Sequence, residues 1–227
     1  MSQMELKFPS TRSPVVIRQA TEEDLQLMAS DVILFLPEGL FPRLGKRFVR
    51  RWMRTFLTEQ YGVALVAVTI DAPQQQVGLL IGSTNQIHHV ADVLHQHKWS
   101  LLRAGLAALC LRPRVLLHFL RTRARPYLRR IMGHTNNPEA GSGPRPATAV
   151  ITSLVVRPTM RAGGIGRFLV EEFLDRATAD QASLAELVTT AGAEGAGAFY
   201  TKIGWKRVEE RYSKDGTPIH TYHRSLP

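Results

Sequence analysis

The residues with the clearest chemical meaning lie at 154–169, where the sequence reads LVVRPTMRAGGIGRFL. A β-rich run ends at a proline, and the glycine-rich segment after it opens a predicted helix. Free N–H groups at the start of a helix, together with the positive end of its dipole, form a site for phosphate oxygens. Glycine has no Cβ, so a bulky anion can approach the backbone at Gly164 and Gly166. We therefore expect an anion-binding turn here, with positive charge from Arg161 and Arg167.

Two better-known phosphate loops do not match this segment. A Walker loop ends in Gly-Lys followed by Ser or Thr, whereas Gly166 is followed by Arg167 and Phe168. A dinucleotide-binding fingerprint needs a third glycine at the position that Leu169 occupies. The remaining alternative is a glycine-rich turn that joins a strand to a helix and binds no ligand.

A second motif lies downstream of the first. Residues 196–205 read AGAFYTKIGW, which is similar to the signature Ala-x-x-Leu/Phe-Tyr-x-Lys-x-Gly-Phe/Trp of the GNAT superfamily of N-acyltransferases. The segment RAGGIG at 161–166 resembles the Gln/Arg-x-x-Gly-x-Gly/Ala motif of the same family, and one predicted strand and one helix separate the two motifs. The resemblance covers 149–222, and residues 15–83 fit the β-α-α-β-β order with which the family opens.

The resemblance implies an α/β fold in which a mixed, mostly antiparallel sheet is flanked by helices. It also implies that acetyl-CoA or a longer acyl-CoA is a substrate, bound by the turn through its pyrophosphate and by the preceding strand through its pantetheine arm. Tyr200 would be the general acid that protonates the departing thiolate; the alternative is a core tyrosine packed beside Phe199. The residues implied to hold the CoA are Leu154, Val155, Val156, Arg161, Ala162, Gly163, Gly164, Ile165, Gly166 and Arg167.

The sequence departs from the family at positions that bear on the chemistry. Ala193 stands where the family often has an asparagine that helps to hold the cofactor, and the strand at 151–156 lacks the carboxylate that some members use as general base. Glu38 is the candidate base, because the loop between the first two helices commonly lines the acceptor site in this family. The alternative for Glu38 is a solvated loop carboxylate. His220 and His223 are three residues apart on the last predicted strand, so at most one of them faces the cleft.

The elements that must position these residues alternate between strand and helix patterns. A chain of 227 residues fits one domain, 1–227, with an insertion. The insertion, 88–147, lies between the third and fourth predicted strands and is predicted to be basic and helical, with a Gly- and Pro-rich loop at its end. Strands are predicted at 15–19, 63–69, 77–83, 149–156, 184–190, 205–212 and 219–226, and helices at 164–177 and 195–202.

Most of the net charge of +10 lies in the insertion, because residues 98–130 contain nine basic residues and no acidic one. Four roles are open for this segment: a solvated flap, a lid over the acyl and acceptor sites, a docking surface for an acidic acyl carrier protein or an anionic membrane surface, or a nucleic-acid site. Nucleic acid is disfavoured, because few aromatic residues that could stack on bases lie among the arginines. A membrane-spanning helix is disfavoured too, because the apolar run at 99–111 has 13 residues against the roughly 20 that are needed.

The function expected from these observations is transfer of an acyl group, most simply acetyl, from acyl-CoA to a primary amine of a small molecule, an amino sugar or a peptide, by direct attack. Two alternatives stay open: long-chain acyl transfer from acyl-CoA or an acyl carrier protein to a peptide or amino-acid amine, and a non-catalytic module that senses CoA. No metal site is expected, since the histidines within 88–97 have no cysteine or carboxylate cluster beside them. A single cysteine, Cys110, and an N-terminus without an apolar stretch predict a reducing, cytoplasmic setting, and a dimer is the oligomer that we expect.

Overall fold

The computed structural model describes residues 4–6, 14–37, 40–71, 74–110, 147–190, 196–212 and 216–227. The strands in these ranges are β1 (Met4–Leu6), β2 (Val15–Gln19), β3 (Gly62–Thr69), β4 (Gln76–Ser83), β5 (Ala147–Val156), β6 (Ala182–Thr190), β7 (Lys206–Tyr212) and β8 (Pro218–Ser225). They form one sheet in the order β1-β2-β3-β4-β5-β6-β8-β7. Neighbouring strands are antiparallel except β5 and β6, which run parallel. The predicted mixed, mostly antiparallel sheet is confirmed.

Helices cover both faces of this sheet. Those in the described residues are α1 (Leu25–Phe35), α2 (Leu40–Leu44), α3 (Lys46–Thr58), α4 (Gln86–Asp92), α5 (Lys98–Cys110), α6 (Ile165–Ala179) and α7 (Ala196–Lys202), with a π-helical turn at Val93–His97. One face of the sheet packs against α1 and α3, and the other packs against α6 and α7. The helix predicted after the glycine-rich segment is therefore present, and it begins one residue after Gly164.

The two central strands β3 and β4 are buried on both faces, which is why they appear in the sequence as nearly continuous apolar runs. In β3, Leu65 faces the α6 layer and Val66 faces the α1–α3 layer. Small residues in β4 let α6 approach closely. A Cβ on Gly82 would lie 2.6 Å from the ring of Phe173 and 2.6 Å from the carbonyl oxygen of Val150. The glycine therefore sets the distance between helix and sheet.

The described beginning of the insertion, residues 88–110, is helical in the structure. Helix α5 packs against α3 through a small apolar cluster that contains Phe48, Leu44 and Ala108. The rest of the insertion, 111–146, lies outside the described residues, so its predicted structure stays a prediction. No helix in the described ranges is both long and apolar enough to span a membrane.

Candidate active site

A gap opens in the sheet between the parallel strands β5 and β6. Their pairing ends at Ile151 opposite Leu187, although β5 continues to Val156 and β6 to Thr190. Beyond this point β5 stays paired with β4, and β6 stays paired with β8. The two strands therefore diverge and leave a V-shaped slot, which we call the slot, between their carboxyl ends.

A β-bulge in β5 lies where the slot begins. The register between β4 and β5 shifts so that Ile81 pairs with Ser153 and Gly82 pairs with Ile151, which leaves Thr152 without a partner in β4. A bulge bends the strand that carries it and increases its twist. The extra residue therefore accounts physically for the departure of β5 from β6.

The free edge of β5 presents backbone hydrogen-bonding groups to the slot. The N–H of Arg157 donates to the carbonyl oxygen of Val77 in β4 at 2.9 Å. Because the backbone groups of successive residues point to opposite sides of a strand, those of Leu154 and Val156 point away from β4. The carbonyl oxygen of Val156 accepts a hydrogen bond from Nε of Arg161 at 3.2 Å instead. An extended ligand with amide groups could pair with this edge as a further strand would.

The slot leads to the glycine turn, by which we mean residues 157–166. A short 3₁₀ turn at Pro158–Met160 follows β5, and the backbone then passes through two left-handed conformations, at Ala162 (φ 64°) and Gly164 (φ 84°). Gly164 is the N-cap of α6, so no side chain caps the helix, and its first turn contains no acidic residue. The N–H groups at the start of α6 are therefore available to an anion, and the helix dipole favours one.

One predicted ligand arginine lies within this turn and another directly follows it, and the two differ in their partners. The side chain of Arg161 is exposed and bonds the end of β5. Arg167 is also exposed, and it pairs with Glu171 one helical turn later at 2.7 Å. The excess positive charge beside the turn therefore comes chiefly from Arg161 and from the helix dipole.

The base of the turn is tied to the opposite face of the sheet by a buried polar cluster. Nε and Nη2 of Arg157 each donate to a carboxylate oxygen of Asp31 in α1 at 3.2 Å. Gln76 at the start of β4 donates to the same carboxylate at 2.7 Å. Since Asp31 is only 5% exposed, these contacts fix the position at which β5 becomes the glycine turn.

Tyr200 lies in α7, and the end of that helix holds it in place. The N–H of Trp205 donates to the carbonyl oxygen of Tyr200, and the N–H of Gly204 donates to that of Thr201. With Gly204 at φ 89°, this is a Schellman motif, in which the residue after the left-handed glycine commonly packs against the last turn. The Trp205 ring does so, with its centroid 5.9 Å from that of Tyr200.

The ring of Tyr200 is surrounded by aromatic side chains and is 7% exposed. Ring centroids lie 5.0 Å away for Phe199 and 5.9 Å away for Tyr222. Burial raises the pKa of the Tyr200 phenol above its ordinary value. The phenol is therefore neutral and carries its proton throughout the physiological pH range.

Helix α7 lies directly against the start of α6. A Cβ on Gly166 would be 3.3 Å from the ring of Phe199, so the glycine leaves the room that this ring fills. On the other side of α7, a Cβ on Gly197 would be 2.8 Å from the hydroxyl oxygen of Tyr222 in β8. These contacts place α7, which carries Tyr200, between the start of α6 and β8.

The structure leaves other predicted residues untested. Glu38 and Ala193 lie outside the described residues. His220 shares a strand face with Tyr222, and the centroids of the two rings are 6.4 Å apart. His223 belongs to the opposite face and pairs with Glu186 at 3.0 Å. Among the described residues, no three His, Cys, Asp or Glu side chains are grouped so that they could hold a metal ion.

Sequence reasoning missed the features that open and brace this site. The amino-acid sequence around Thr152 does not indicate a bulge, because a bulge is defined by the pairing with the partner strand. Tyr222 and Asp31 were also missed. An acidic residue on the apolar face of an amphipathic helix is a weak signal of a buried ion pair, such as the one between Asp31 and Arg157.

Comparison with known proteins identifies the fold around the slot. A family model described as an acetyltransferase (GNAT) domain matches residues 129–226, which include the slot, the glycine turn and Tyr200. This part of the chain, less than half of its length, resembles a GNAT acetyltransferase domain. The match supports the acyltransferase activity that the sequence predicts. No curated protein matches the chain by sequence.

Solved structures of similar fold cover more than nine-tenths of the chain. NAA60 from Arabidopsis thaliana in complex with acetyl-CoA has a TM-score of 0.58 at 12% identity, with 93% of this chain and 98% of that one covered. Ard1 from Thermoplasma volcanium has a TM-score of 0.53 at 15% identity, covering 94% and 98%. Ribosomal-protein-alanine N-acetyltransferase from Brucella melitensis has a TM-score of 0.53 at 15% identity, covering 92% and 99%. At these identities the similarity shows a shared fold.

Proposed function

We propose that the protein transfers an acetyl group from acetyl-CoA to a primary amine, and that a peptide or protein amine is the acceptor. The observation that carries the proposal is the geometry of the site: an open strand edge leads to an uncapped helix N-terminus, with a buried tyrosine beside it. An extended amide chain that ends in a diphosphate has the shape and chemistry to fill both parts. Coenzyme A is such a molecule.

The chain's own residues would bind CoA through backbone groups. The amide groups of pantetheine would pair with Leu154 and Val156 in the slot, and the pyrophosphate would accept hydrogen bonds from the N–H groups that begin α6. Exposed Arg161 would add charge. Because Gly164 adopts φ 84°, a residue with a side chain would strain the turn at the point where the phosphates approach.

The reaction would proceed by direct attack of the neutral amine on the thioester carbonyl. A C–N bond forms, the C–S bond breaks, the ammonium loses a proton, and the sulfur gains one. Tyr200 would donate the proton to sulfur. A phenol with a raised pKa is a weak acid, but the burial that raises it also disfavours a free thiolate at the same place.

The residue that removes the amine proton is proposed to be Glu38. No carboxylate lies on β5 from Ile151 to Val156, and Ser153 and Thr152 are poor bases. Glu38 lies between α1 and α2 in the sequence. In a Glu38→Gln variant, kcat should be much lower and should no longer fall as the pH becomes acidic. A general loss of folding would instead alter the CD spectrum.

The acceptor class rests on the proteins of similar fold and on the charge of this chain. Structures of similar fold include a ribosomal-protein-alanine N-acetyltransferase and the NatC complex bound to Gag peptide and CoA. Polyamines and aminoglycosides are cations that call for an acidic pocket, whereas this chain carries a net charge of +10. A peptide amine fits this charge better.

The test is an acceptor screen in which thiol release reports turnover. Acetyl-, octanoyl- and palmitoyl-CoA are each offered with peptides that have a free N-terminus, with amino sugars and with polyamines. We expect the highest kcat/KM for acetyl-CoA with a peptide. A preference for palmitoyl-CoA would replace the proposal with long-chain transfer, since each buried methylene is worth about 0.8 kcal/mol. CoA binding without turnover on any acceptor would contradict catalysis.

A further inference from the structure

A second concave surface lies away from the slot, between α3 and α5. This α3–α5 groove has a volume of about 1040 Å³. It belongs to the α1–α3 face of the sheet, opposite to the face against which α6 and α7 pack. The residues that line it are Glu22, Leu25, Leu44, Gly45, Lys46, Arg47, Phe48, Arg50, Arg51, Arg54, Thr58, His97, Ser100, Leu101, Ala104, Ala107 and Ala108.

The floor and the rim of the groove differ in chemistry. The floor is aliphatic and small, with Leu44, Leu101 and Ala104 among its side chains. The rim is a stripe of five cations on α3: Lys46, Arg47, Arg50, Arg51 and Arg54, all of them exposed. The stripe follows from the amphipathic pattern of α3, whose other face buries Val49 and Met53 in the core.

Most of this positive charge is not neutralised within the described residues. Arg54 pairs with Glu22, the one acidic residue in the lining, at 2.5 Å. Arg51 donates to the carbonyl oxygen of Ser100 at 3.3 Å. Lys46, Arg47 and Arg50 have no acidic partner in the described part of the chain, so the groove has a strong positive potential.

The spacing of the cations indicates an elongated polyanion. Residues 46–54 of a helix span about 12 Å along its axis, at 1.5 Å per residue. A lipid headgroup would reach one end of this stripe and leave the other cations unpaired. Single-stranded nucleic acid would need exposed aromatic rings for base stacking, whereas Phe48, the one aromatic residue among the described lining residues, is 7% exposed. A helix with acidic residues at successive turns matches both the stripe and the apolar floor.

The chain's own neighbouring segment has the wrong charge to fill the groove. Residues 111–146 contain eight arginines and one acidic residue, Glu139. Like charges would face each other along the stripe, which is unfavourable in a low-dielectric groove. The occupant is therefore a different molecule.

We propose that the α3–α5 groove is a docking site for an acidic amphipathic helix of a partner protein. Leucines on one face of that helix would lie on the apolar floor, and its carboxylates would pair with the stripe on α3. The partner binds on the side of the sheet opposite to α6 and α7, so docking and CoA binding use different surfaces.

The test uses a fluorescent helical peptide of about 18 residues, long enough to span the groove, with leucines at i, i+3, i+4 and i+7 and glutamates on the flanks. We expect saturable binding to the full chain that weakens at least tenfold between 50 and 300 mM salt. An isomer with lysine in place of every glutamate should not bind. Vesicles that contain phosphatidylglycerol and a poly-dT oligonucleotide are the competing probes, and preferential binding of either would overturn the proposal.

Two variants place the binding in the groove. Arg47→Glu with Arg50→Glu should weaken peptide binding at least tenfold, while the matched control Lys206→Glu with Arg211→Glu, on exposed positions of β7, should leave it unchanged. Ala107→Trp fills the groove from an exposed position without changing its charge, and should also block the peptide. Equal peptide affinity in all of these proteins, or no peptide binding to the unaltered chain, would contradict the proposal.

Discussion

Tyr200 is the side chain on which the proposed chemistry depends most. Its ring is fixed on three sides by Phe199, Trp205 and Tyr222, and its phenol keeps its proton because burial raises its pKa. Tyr200→Phe removes the proton donor and keeps the packing. We expect kcat to fall about 100-fold, the low end for a general acid, with little change in KM, in a steady-state assay of thiol release.

The control for this prediction is Tyr212→Phe. Tyr212 is 72% exposed at the end of β7, so removal of its hydroxyl should leave both kcat and KM unaltered. Full activity in Tyr200→Phe would show that another group or water protonates the sulfur.

Gly204 holds Tyr200 in position through the Schellman motif. Its effect on kcat can be separated from its effect on the free energy of unfolding by comparison with Gly216. Gly204 (φ 89°) and Gly216 (φ 78°) both have left-handed backbones, and no atom lies within 4 Å of a Cβ at either site. Alanine should therefore cost about 1 kcal/mol of unfolding free energy at each position through backbone strain alone. Urea unfolding measures this cost.

The two alanine variants should differ in activity. Only Gly204→Ala loosens the turn that binds the carbonyl of Tyr200, so we expect its kcat to fall while that of Gly216→Ala stays the same. Equal kcat values in both variants would mean that the motif serves folding only.

His89 makes the stability of the fold depend on pH. The side chain is 3% exposed and stacks on Phe56 with ring centroids 4.5 Å apart. Burial lowers the pKa of this imidazole, so the native state binds protons less readily than the unfolded chain. The stabilisation is present above the unfolded pKa of about 6.5 and is lost as pH falls below it.

Substitution of His89 tests that dependence. In His89→Leu the unfolding free energy, measured with urea between pH 7.5 and 5, should decline less than in the unaltered protein. His88→Leu, at an exposed position, is the control and should keep the full decline. An identical decline in all three proteins would show that titratable groups other than His89 cause the pH dependence.

At the scale of elements, the decisive feature is the divergence of β5 from β6. The alternation of strands and helices was predictable, because apolar periodicity and glycine positions are local properties of the sequence. The bulge at Thr152 and the end of pairing at Ile151 were not predictable, because they depend on which residues of β4 and β6 lie opposite β5. The glycine motif could thus be placed at a helix start, but the slot that leads to it could not.

The link between α1 and the glycine turn is a second property of elements. Asp31 is buried, and Arg157 is one-third exposed. Asp31→Ala should cost about 2–3 kcal/mol of unfolding free energy, somewhat less than for a fully buried pair. It should also raise the Kd for CoA, because the start of the turn loses its anchor. Urea unfolding and calorimetry measure the two effects.

A double-mutant cycle identifies the source of this loss. If Asp31 acts through Arg157, then Asp31→Ala combined with Arg157→Ala should be less destabilised than the sum of the two single variants. Additive losses would contradict the coupling.

At the scale of the whole molecule, the sequence locates the excess charge in residues 98–130, and the structure adds a second basic surface. The stripe on α3 lies outside that segment, and only the position of α5 beside α3 shows that the stripe borders a groove. Charge counts along a chain find runs of like residues, whereas a groove combines residues from separate elements. The role of the basic insertion itself stays a prediction.

The most direct test of the central claim is titration of the protein with CoA in a calorimeter, with Gly164→Val alongside. The slot and the uncapped N-terminus of α6 predict a saturable heat with one CoA per chain and a higher melting temperature in its presence. Gly164→Val, strained at φ 84° and bulky beside the phosphates, should bind at least tenfold more weakly while remaining folded. No heat and no thermal protection with saturating CoA, or equal affinity in the valine variant, would contradict the account.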